Sequence, residues 1–105
     1  MYDMTKLRTR YFTMKLKNGK ILDLEPPKIK VLKKIAALSE VENNNNLTEK
    51  DINNLSEAVA LALNKNKQNY KISVDRVTEE FDIEEIVDFL NNYFTWVGKI
   101  QNSKN

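Results

Sequence analysis

Apolar and polar residues alternate from Arg10 to Leu24 around Asn18-Gly19, and this pattern predicts a β-hairpin. A two-residue loop at positions 18–19 would place the carboxylate of Asp23 on the apolar face. A three-residue loop at positions 17–19 avoids this conflict and requires a left-handed Gly19 at a bulge. The register that follows pairs Phe12 with Leu24, Met14 with Leu22 and Leu16 with Lys20.

Two segments with helical periodicity follow the hairpin. Pro26-Pro27 end its second strand and begin a helix that extends to about Ser39, because proline suits the first helical turn. A second helix begins at Thr48, which forms with Asp51 a pattern that resembles a capping box, and it extends to about Leu63. The low-complexity run at positions 42–46 is therefore predicted to be a loop between these helices.

A polar turn at positions 64–69 separates these helices from a short third helix, predicted from about Val74 to Phe81 with Ser73 as its cap. Leu61 points away from the apolar stripe of the second helix, so it packs under a loop or joins an oligomer contact. Periodicity predicts buried stripes at Ile29, Leu32, Ile35 and Ala36, at Ile52, Leu55, Val59, Ala62 and Leu63, and at Val74, Val77 and Phe81.

The last helix is predicted from Ile83 to Ile100, with Asp82 as its cap and Glu85 as the partner of that cap. Its apolar residues fill half of the helical wheel, whereas a stripe about 100° wide is enough for a helix that lies on a core. The residues expected to face the core are Ile83, Val87, Leu90, Phe94 and Val97. Those expected at the edge are Phe89, Trp96 and Ile100, with Tyr93 between the two groups. Either the small domain covers both sides of this helix, or the edge meets a second chain, for which Trp and Tyr are typical anchors.

Composition narrows the class of protein. A chain of 105 residues with 41% hydrophobic and 30% charged residues forms one globular domain with a modest core. No apolar run approaches the roughly 20 residues that span a bilayer, and Met1–Met4 lacks the pattern of a secretory signal. The absence of Cys and His excludes disulfides, Ser-His or Cys-His catalysis and ordinary structural zinc. We therefore expect a cytoplasmic binding module, without enzymatic activity, cofactor or metal.

Charge is distributed unevenly, since residues 1–38 have a net charge of +7 and residues 39–105 a net charge of −5. This split indicates an acidic partner or a head-to-tail contact between copies. Nucleic-acid binding by the lysines of the first helix is the less favoured interpretation, because this helix lacks Arg and its lysines are spread around the solvent side. The carboxylates at 79–88 are interpreted as matching a helix dipole, not as a metal site.

The order of these elements resembles the short tail assembly chaperones of long-tailed (siphovirus-type) bacteriophages and prophages. The similarity covers about residues 10–100 and depends on folding signals, not on a catalytic signature. The matching features are Pro26-Pro27 before the first helix, Leu63-Asn64-Lys65-Asn66 at the end of the second, Asp82-Ile83 at the start of the last, and Tyr93-Phe94-Thr95-Trp96-Val97 near its end.

The predicted elements together form an α+β fold, with an N-terminal hairpin packed against about four helices. The resemblance implies a chaperone that binds the tape measure protein, and possibly the tail tube protein, in the cytoplasm of the bacterial host. Such a chaperone keeps its client soluble during tail assembly, is absent from the mature virion, and is expected to be a homo-oligomer that binds no membrane. The residues expected to bind protein are Phe89, Tyr93, Trp96, Ile100 and Leu61.

Two alternative functions are a small DNA-binding regulator that uses the basic N-terminal half, and a structural accessory protein of the phage tail. The domain boundaries expected are a flexible basic arm at 1–9, a single domain at 10–100 and a disordered tail at 101–105.

Overall fold

The computed structural model of this chain describes residues 1–2, 10–40 and 47–102. Its described residues form a two-stranded antiparallel hairpin followed by four helices, so the α+β fold predicted from the sequence is confirmed. In chain order the elements are β1 (Phe12–Lys15), β2 (Ile21–Leu24), α1 (Ile29–Leu38), α2 (Glu49–Asn64), α3 (Val74–Glu80) and α4 (Ile83–Asn102).

Some of the predicted boundaries lie outside the described residues. These are positions 3–9 of the predicted arm, the predicted loop at 42–46, and positions 103–105 of the predicted tail. The last helix continues past its predicted end at Ile100 to Asn102, into the segment that was expected to be disordered. No described helix has both the length and the hydropathy needed to cross a membrane.

The hairpin has the predicted three-residue loop. Phe12 pairs with Leu24 and Met14 with Leu22, and the N–H of Leu16 donates a hydrogen bond of 2.8 Å to the carbonyl of Lys20. Gly19 has a φ of 92°, a conformation that a residue with a Cβ adopts only with strain. The register is therefore the one that keeps the hydrophobic residues of both strands on one face.

The polar turn after α2 covers the outer edge of β2. Asn66 forms an isolated antiparallel bridge with Leu24, and the N–H of Lys67 donates to the carbonyl of Asp23 at 2.9 Å. The buried side-chain amide of Asn66 donates to the carbonyls of Leu63 and Tyr70, and its oxygen accepts from the N–H of Tyr70. These bonds satisfy backbone groups at the end of α2 and hold the turn against the hairpin.

Side chains cap three of the helices as the sequence predicts. Thr48 and Asp51 form a reciprocal capping box at the start of α2. Asp82 and Glu85 do the same at the start of α4, at 2.8 and 2.9 Å. Ser73 accepts a hydrogen bond of 3.1 Å from the N–H of Arg76 at the start of α3. Each cap satisfies a backbone donor that has no partner within its helix.

The core lies where the inner face of the hairpin meets α2 and α4, and its buried members include Leu22, Leu24, Val59 and Leu63. Several of the predicted buried positions on α1, α2 and α3 are wrong. Helix α1 lies on α2 with only a narrow stripe around Ile35, and the buried residue of α3 is Val77. The buried residues of α2 begin at Leu55, one turn after Ile52. The exposed side chains that were predicted to be buried are Ile29, Ala36, Ile52 and Val74.

Candidate functional site

The buried stripe of α4 is not the one that the sequence predicts. Ile86, Phe89, Leu90 and Tyr93 are buried, with 8% of Phe89 and 0% of Tyr93 exposed. Two of the residues that were expected to face the core lie on the surface, since 39% of Ile83 and 44% of Val87 are exposed. Relative to the prediction, α4 is turned about its axis so that its aromatic edge faces inward.

Packing of the hairpin on α4 explains this orientation. The ring of Phe12, in β1, lies edge-on to Phe89 at 6.0 Å, to Tyr93 at 6.5 Å and to Trp96 at 5.6 Å between ring centroids. Such edge-to-face contacts stabilise aromatic clusters beyond the effect of buried area alone. The hairpin therefore covers the aromatic edge of α4, which is the first of the two arrangements that the sequence left open.

The hydroxyl of Tyr93 is buried in this cluster and has no hydrogen-bond partner among the described residues. Burial raises the pKa of Tyr93 well above its usual value of 10, because the phenolate cannot be hydrated there. The side chain is thus a neutral core residue under physiological conditions, and it offers no ionised group for catalysis or binding.

The other residues expected to bind protein are only partly accessible. Trp96, Ile100 and Leu61 are half-buried, and Trp96 and Leu61 pack against the core cluster. Leu61 is thus on the protein side of α2 and does not project freely into solvent. The structure brings Phe89, Tyr93 and Trp96 together as an aromatic cluster inside the domain.

An open apolar groove lies on another side of α4. Its volume is about 530 Å³, and it is bounded by α2, by α4, by Ser39 after α1 and by Leu47 before α2. Among the described residues that line it, five have apolar side chains, while Ser39 and Asn91 are polar. The apolar lining residues are Leu47, Leu55, Val87, Leu90 and Phe94.

Exposed apolar residues extend this surface on both helices. By helical spacing, Ile83, Val87 and Phe94 lie on one side of α4, and Ile52 lies one turn before Leu55 on α2. Of these, Ile52, Ile83 and Val87 are exposed. A surface of this kind can receive apolar side chains that recur every three or four residues, as on one face of a helix.

One feature of the sequence indicates an apolar surface at this end of the groove, although the predicted buried stripes did not include it. Leu47 directly precedes the cap residue Thr48, and an apolar residue at that position commonly packs on the fourth residue of the helix, here Ile52. Leu47 is half-buried and lines the groove. This pairing of apolar residues across a helix cap, known as a hydrophobic staple, therefore indicates an apolar surface at the start of α2.

Ion pairs lie at the surface and connect elements of the fold. The ammonium of Lys17 in the hairpin loop contacts Glu85 of α4 at 2.6 Å. The hydrogen bond from Lys17 and the backbone bond from Asp82 lower the pKa of Glu85. A weaker pair joins Lys34 of α1 to Glu57 of α2 at 3.5 Å. Within the described residues no group of His, Cys, Asp or Glu is arranged to hold a metal ion.

Comparison with family models, with curated proteins and with solved structures gives no match for this chain.

Proposed function

We propose that this chain is a phage tail assembly chaperone that binds a helical segment of the tape measure protein in the groove between α2 and α4. The observation that carries the proposal is the groove itself, about 530 Å³ with a mainly apolar lining. The choice of client depends on the resemblance of residues 10–100 to short tail assembly chaperones. The groove supports the general role of binding an apolar protein segment.

The groove has properties that suit a helical client. Ligand sites for an amphipathic helix are apolar troughs in which side chains at positions i, i+3, i+4 and i+7 are buried. Leu55 on one wall and Phe94 on the other provide such a trough, and the exposed Val87 continues it. A client helix would cover apolar surface on both partners, which is the main source of affinity in such complexes.

The contact residues in this proposal differ from those predicted from the sequence. Phe89 and Tyr93 are enclosed by the hairpin, so a client could reach them only if the domain opened. Trp96 contacts Phe12 on the other side of α4 from the groove. We therefore assign contact with the client to Val87 and Phe94 instead of to the aromatic edge of α4.

Val87→Glu tests the proposal, because a carboxylate in the groove would oppose an apolar client. Val87 is exposed, so the variant is expected to fold. Thr95→Glu is the matched control, since it places the same charge on an exposed site of the same helix that does not line the groove. The readout is the soluble fraction of the co-expressed tape measure protein.

We expect the wild type and Thr95→Glu to keep the client soluble, and Val87→Glu to lose most of this effect. If Val87→Glu and the control solubilise the client equally, the groove is not the binding site. If the wild type does not solubilise the client at all, the chaperone function itself is wrong.

The same proposal includes association with the tail tube protein, self-association, location in the host cytoplasm and absence from the finished virion.

The two alternative functions have their own tests. Binding of duplex DNA that weakens steeply with salt would favour a regulator, which would use the exposed Lys30 and Lys33 of α1. Detection of the chain in purified virions would favour a structural accessory protein.

A further inference from the structure

The loop of the hairpin contains the only Asn-Gly pair in the sequence. Of the two glycines, Gly19 follows Asn18, whereas Gly98 follows Val97. An asparagine before glycine is chemically labile, because the backbone nitrogen of the next residue can attack the side-chain amide within the same chain. Glycine favours this attack, since it has no Cβ to crowd the five-membered ring that forms. The residues that suit the turn therefore also form the most labile amide of the chain.

Solvent reaches both residues of this pair. Asn18 and Gly19 are exposed, and among the described residues no atom lies within 4 Å of a Cβ built on Gly19. Water and hydroxide can thus approach the side-chain amide and the backbone of the loop from outside. What limits the reaction is the hydrogen bonding of the loop itself.

Two hydrogen bonds hold the reacting groups while the loop is closed. The N–H of Gly19 donates to the carbonyl of Leu16 at 2.9 Å, and the side-chain oxygen of Asn18 accepts from the N–H of Lys20, also at 2.9 Å. The nitrogen of Gly19 must lose its proton to a base before it can attack. The bond to Leu16 withholds this proton from solvent, as a backbone bond does in hydrogen exchange. The closed loop therefore suppresses the reaction, and opening of the loop allows it.

We propose that Asn18 is a site of spontaneous deamidation, and that opening of the hairpin loop sets its rate. In the open loop a base takes the proton from the N–H of Gly19, and this nitrogen bonds to Cγ of Asn18. The bond from Cγ to Nδ2 breaks, and Nδ2 takes up a proton and leaves as ammonia. The cyclic imide that remains is opened by water. Attack of water at Cγ gives aspartate, and attack at the backbone carbonyl carbon of residue 18 gives isoaspartate.

The two products differ in their effect on the hairpin. Aspartate keeps the backbone length, and its carboxylate can still accept from the N–H of Lys20. Isoaspartate directs the main chain through its Cβ and Cγ, which adds one methylene group to a loop of three residues. The bonds from Gly19 to Leu16 and from Leu16 to Lys20 close a loop of fixed length, so the added group disrupts them. Because Phe12 of the same hairpin packs on α4, isoaspartate loosens the hairpin from the last helix.

The rate is tested by peptide mapping of the full chain, since replacement of the amide by a carboxyl group raises the mass by one dalton. The chain is incubated at mildly alkaline pH, once folded and once unfolded in guanidinium chloride. Hydrogen exchange of the Gly19 amide is measured on the folded chain in the same buffer. Because one opening exposes one proton in both reactions, the ratio of the unfolded to the folded deamidation rate should match the protection factor of Gly19 within an order of magnitude.

Two variants serve as controls. Unfolded Gly19→Ala should lose most of the reaction at Asn18, because its Cβ crowds the ring and folding plays no part in that sample. Asn18→Asp supplies the aspartate product directly and should have the urea midpoint of the wild type. Isoaspartyl protein, separated by chromatography from aged wild type, should unfold at lower urea than Asn18→Asp. The emission of Trp96 in that fraction should lie at longer wavelength, since this ring contacts the hairpin.

Three results would overturn the proposal. The first is an unfolded chain in which Asn18 reacts no faster than the asparagines that precede bulkier residues. The second is equal rates of deamidation in the folded and unfolded chains, because the closed loop would then give no protection. The third is an isoaspartyl fraction that unfolds like Asn18→Asp, because the modification would then leave the hairpin attached. None of these results depends on the proposed chaperone function, since no client is used.

Discussion

Phe12 in β1 and Trp96 in α4 meet edge-on, with their ring centroids 5.6 Å apart and their ring planes at 65°. These two residues are 84 positions apart in the sequence, and their contact is part of what joins the hairpin to the last helix. The same Phe12 ring also contacts Phe89 and Tyr93. The aromatic surface of α4 is consequently part of the core.

Phe12→Ala tests this relationship. We expect the free energy of unfolding to fall by about 2 kcal/mol, because a partly buried ring and its aromatic contacts are lost. Trp96 is the only tryptophan, so its fluorescence emission should shift to longer wavelength as water reaches the ring. Urea unfolding followed by fluorescence measures both effects. Tyr11→Ala, on the outer face of the hairpin, is the control, and an equal loss there would contradict the assigned role of Phe12.

Tyr93→Phe should stabilise the protein. The hydroxyl of Tyr93 is buried and has no partner in the part of the chain that the structure describes. Removing an unsatisfied buried polar group is expected to raise the free energy of unfolding by about 1 kcal/mol. Thermal and urea unfolding at neutral pH measure the change, with Tyr11→Phe at an exposed site as the control. A loss of stability in Tyr93→Phe would show that the hydroxyl has a hydrogen-bond partner in solution.

The two glycines should respond to alanine with opposite signs. Gly19 has a φ of 92°, so Gly19→Ala is expected to cost about 1 kcal/mol although no atom lies within 4 Å of the added Cβ. Gly98 lies inside α4 with equally open space, and Gly98→Ala is expected to stabilise by about 0.5–1 kcal/mol. Paired urea denaturation curves test the difference, and a shift of the same sign in both variants would contradict it.

Acid should weaken the attachment of the hairpin loop to α4. The pKa of Glu85 is lowered in the folded state, chiefly by the hydrogen bond from Lys17, so its contribution to stability is complete above the ordinary carboxyl value of 4.5. This contribution is lost as the pH falls through the lower, folded-state pKa. Lys17, whose pKa is raised by the same bond, contributes fully below 10.5 and loses its contribution at higher pH.

Urea midpoints of wild type and Glu85→Gln between pH 7 and pH 3 measure this effect. The glutamine variant retains an oxygen that can accept from the N–H of Asp82, so the cap is preserved. Its midpoint should be lower than that of the wild type at pH 7, and the difference should shrink below pH 4.5. Glu84→Gln, at an exposed neighbouring site, is the control. A difference between wild type and Glu85→Gln that persists at pH 3 would show that the ion pair is not its source.

Local features of the fold were predictable from the sequence because neighbouring residues decide them. The loop of the hairpin follows from keeping Asp23 off the apolar face, and the observed pairing of Met14 with Leu22 confirms it. The starts of α2 and α4 follow from the capping pairs of Thr48 and Asp82, whose partners lie three residues away. In each case the interaction is complete within a few residues of chain.

The direction in which α4 faces was decided only by the tertiary structure. Half of its helical wheel is apolar, so periodicity allows several stripes to face the core, and the choice between Val87 and Phe89 depends on where the hairpin packs. The groove likewise combines residues that are distant in sequence, such as Leu55 with Phe94. The sequence by itself determined the elements, their order and their caps. Long-range packing determined which apolar surfaces remain exposed, because a helix with an apolar half can bury either side of that half.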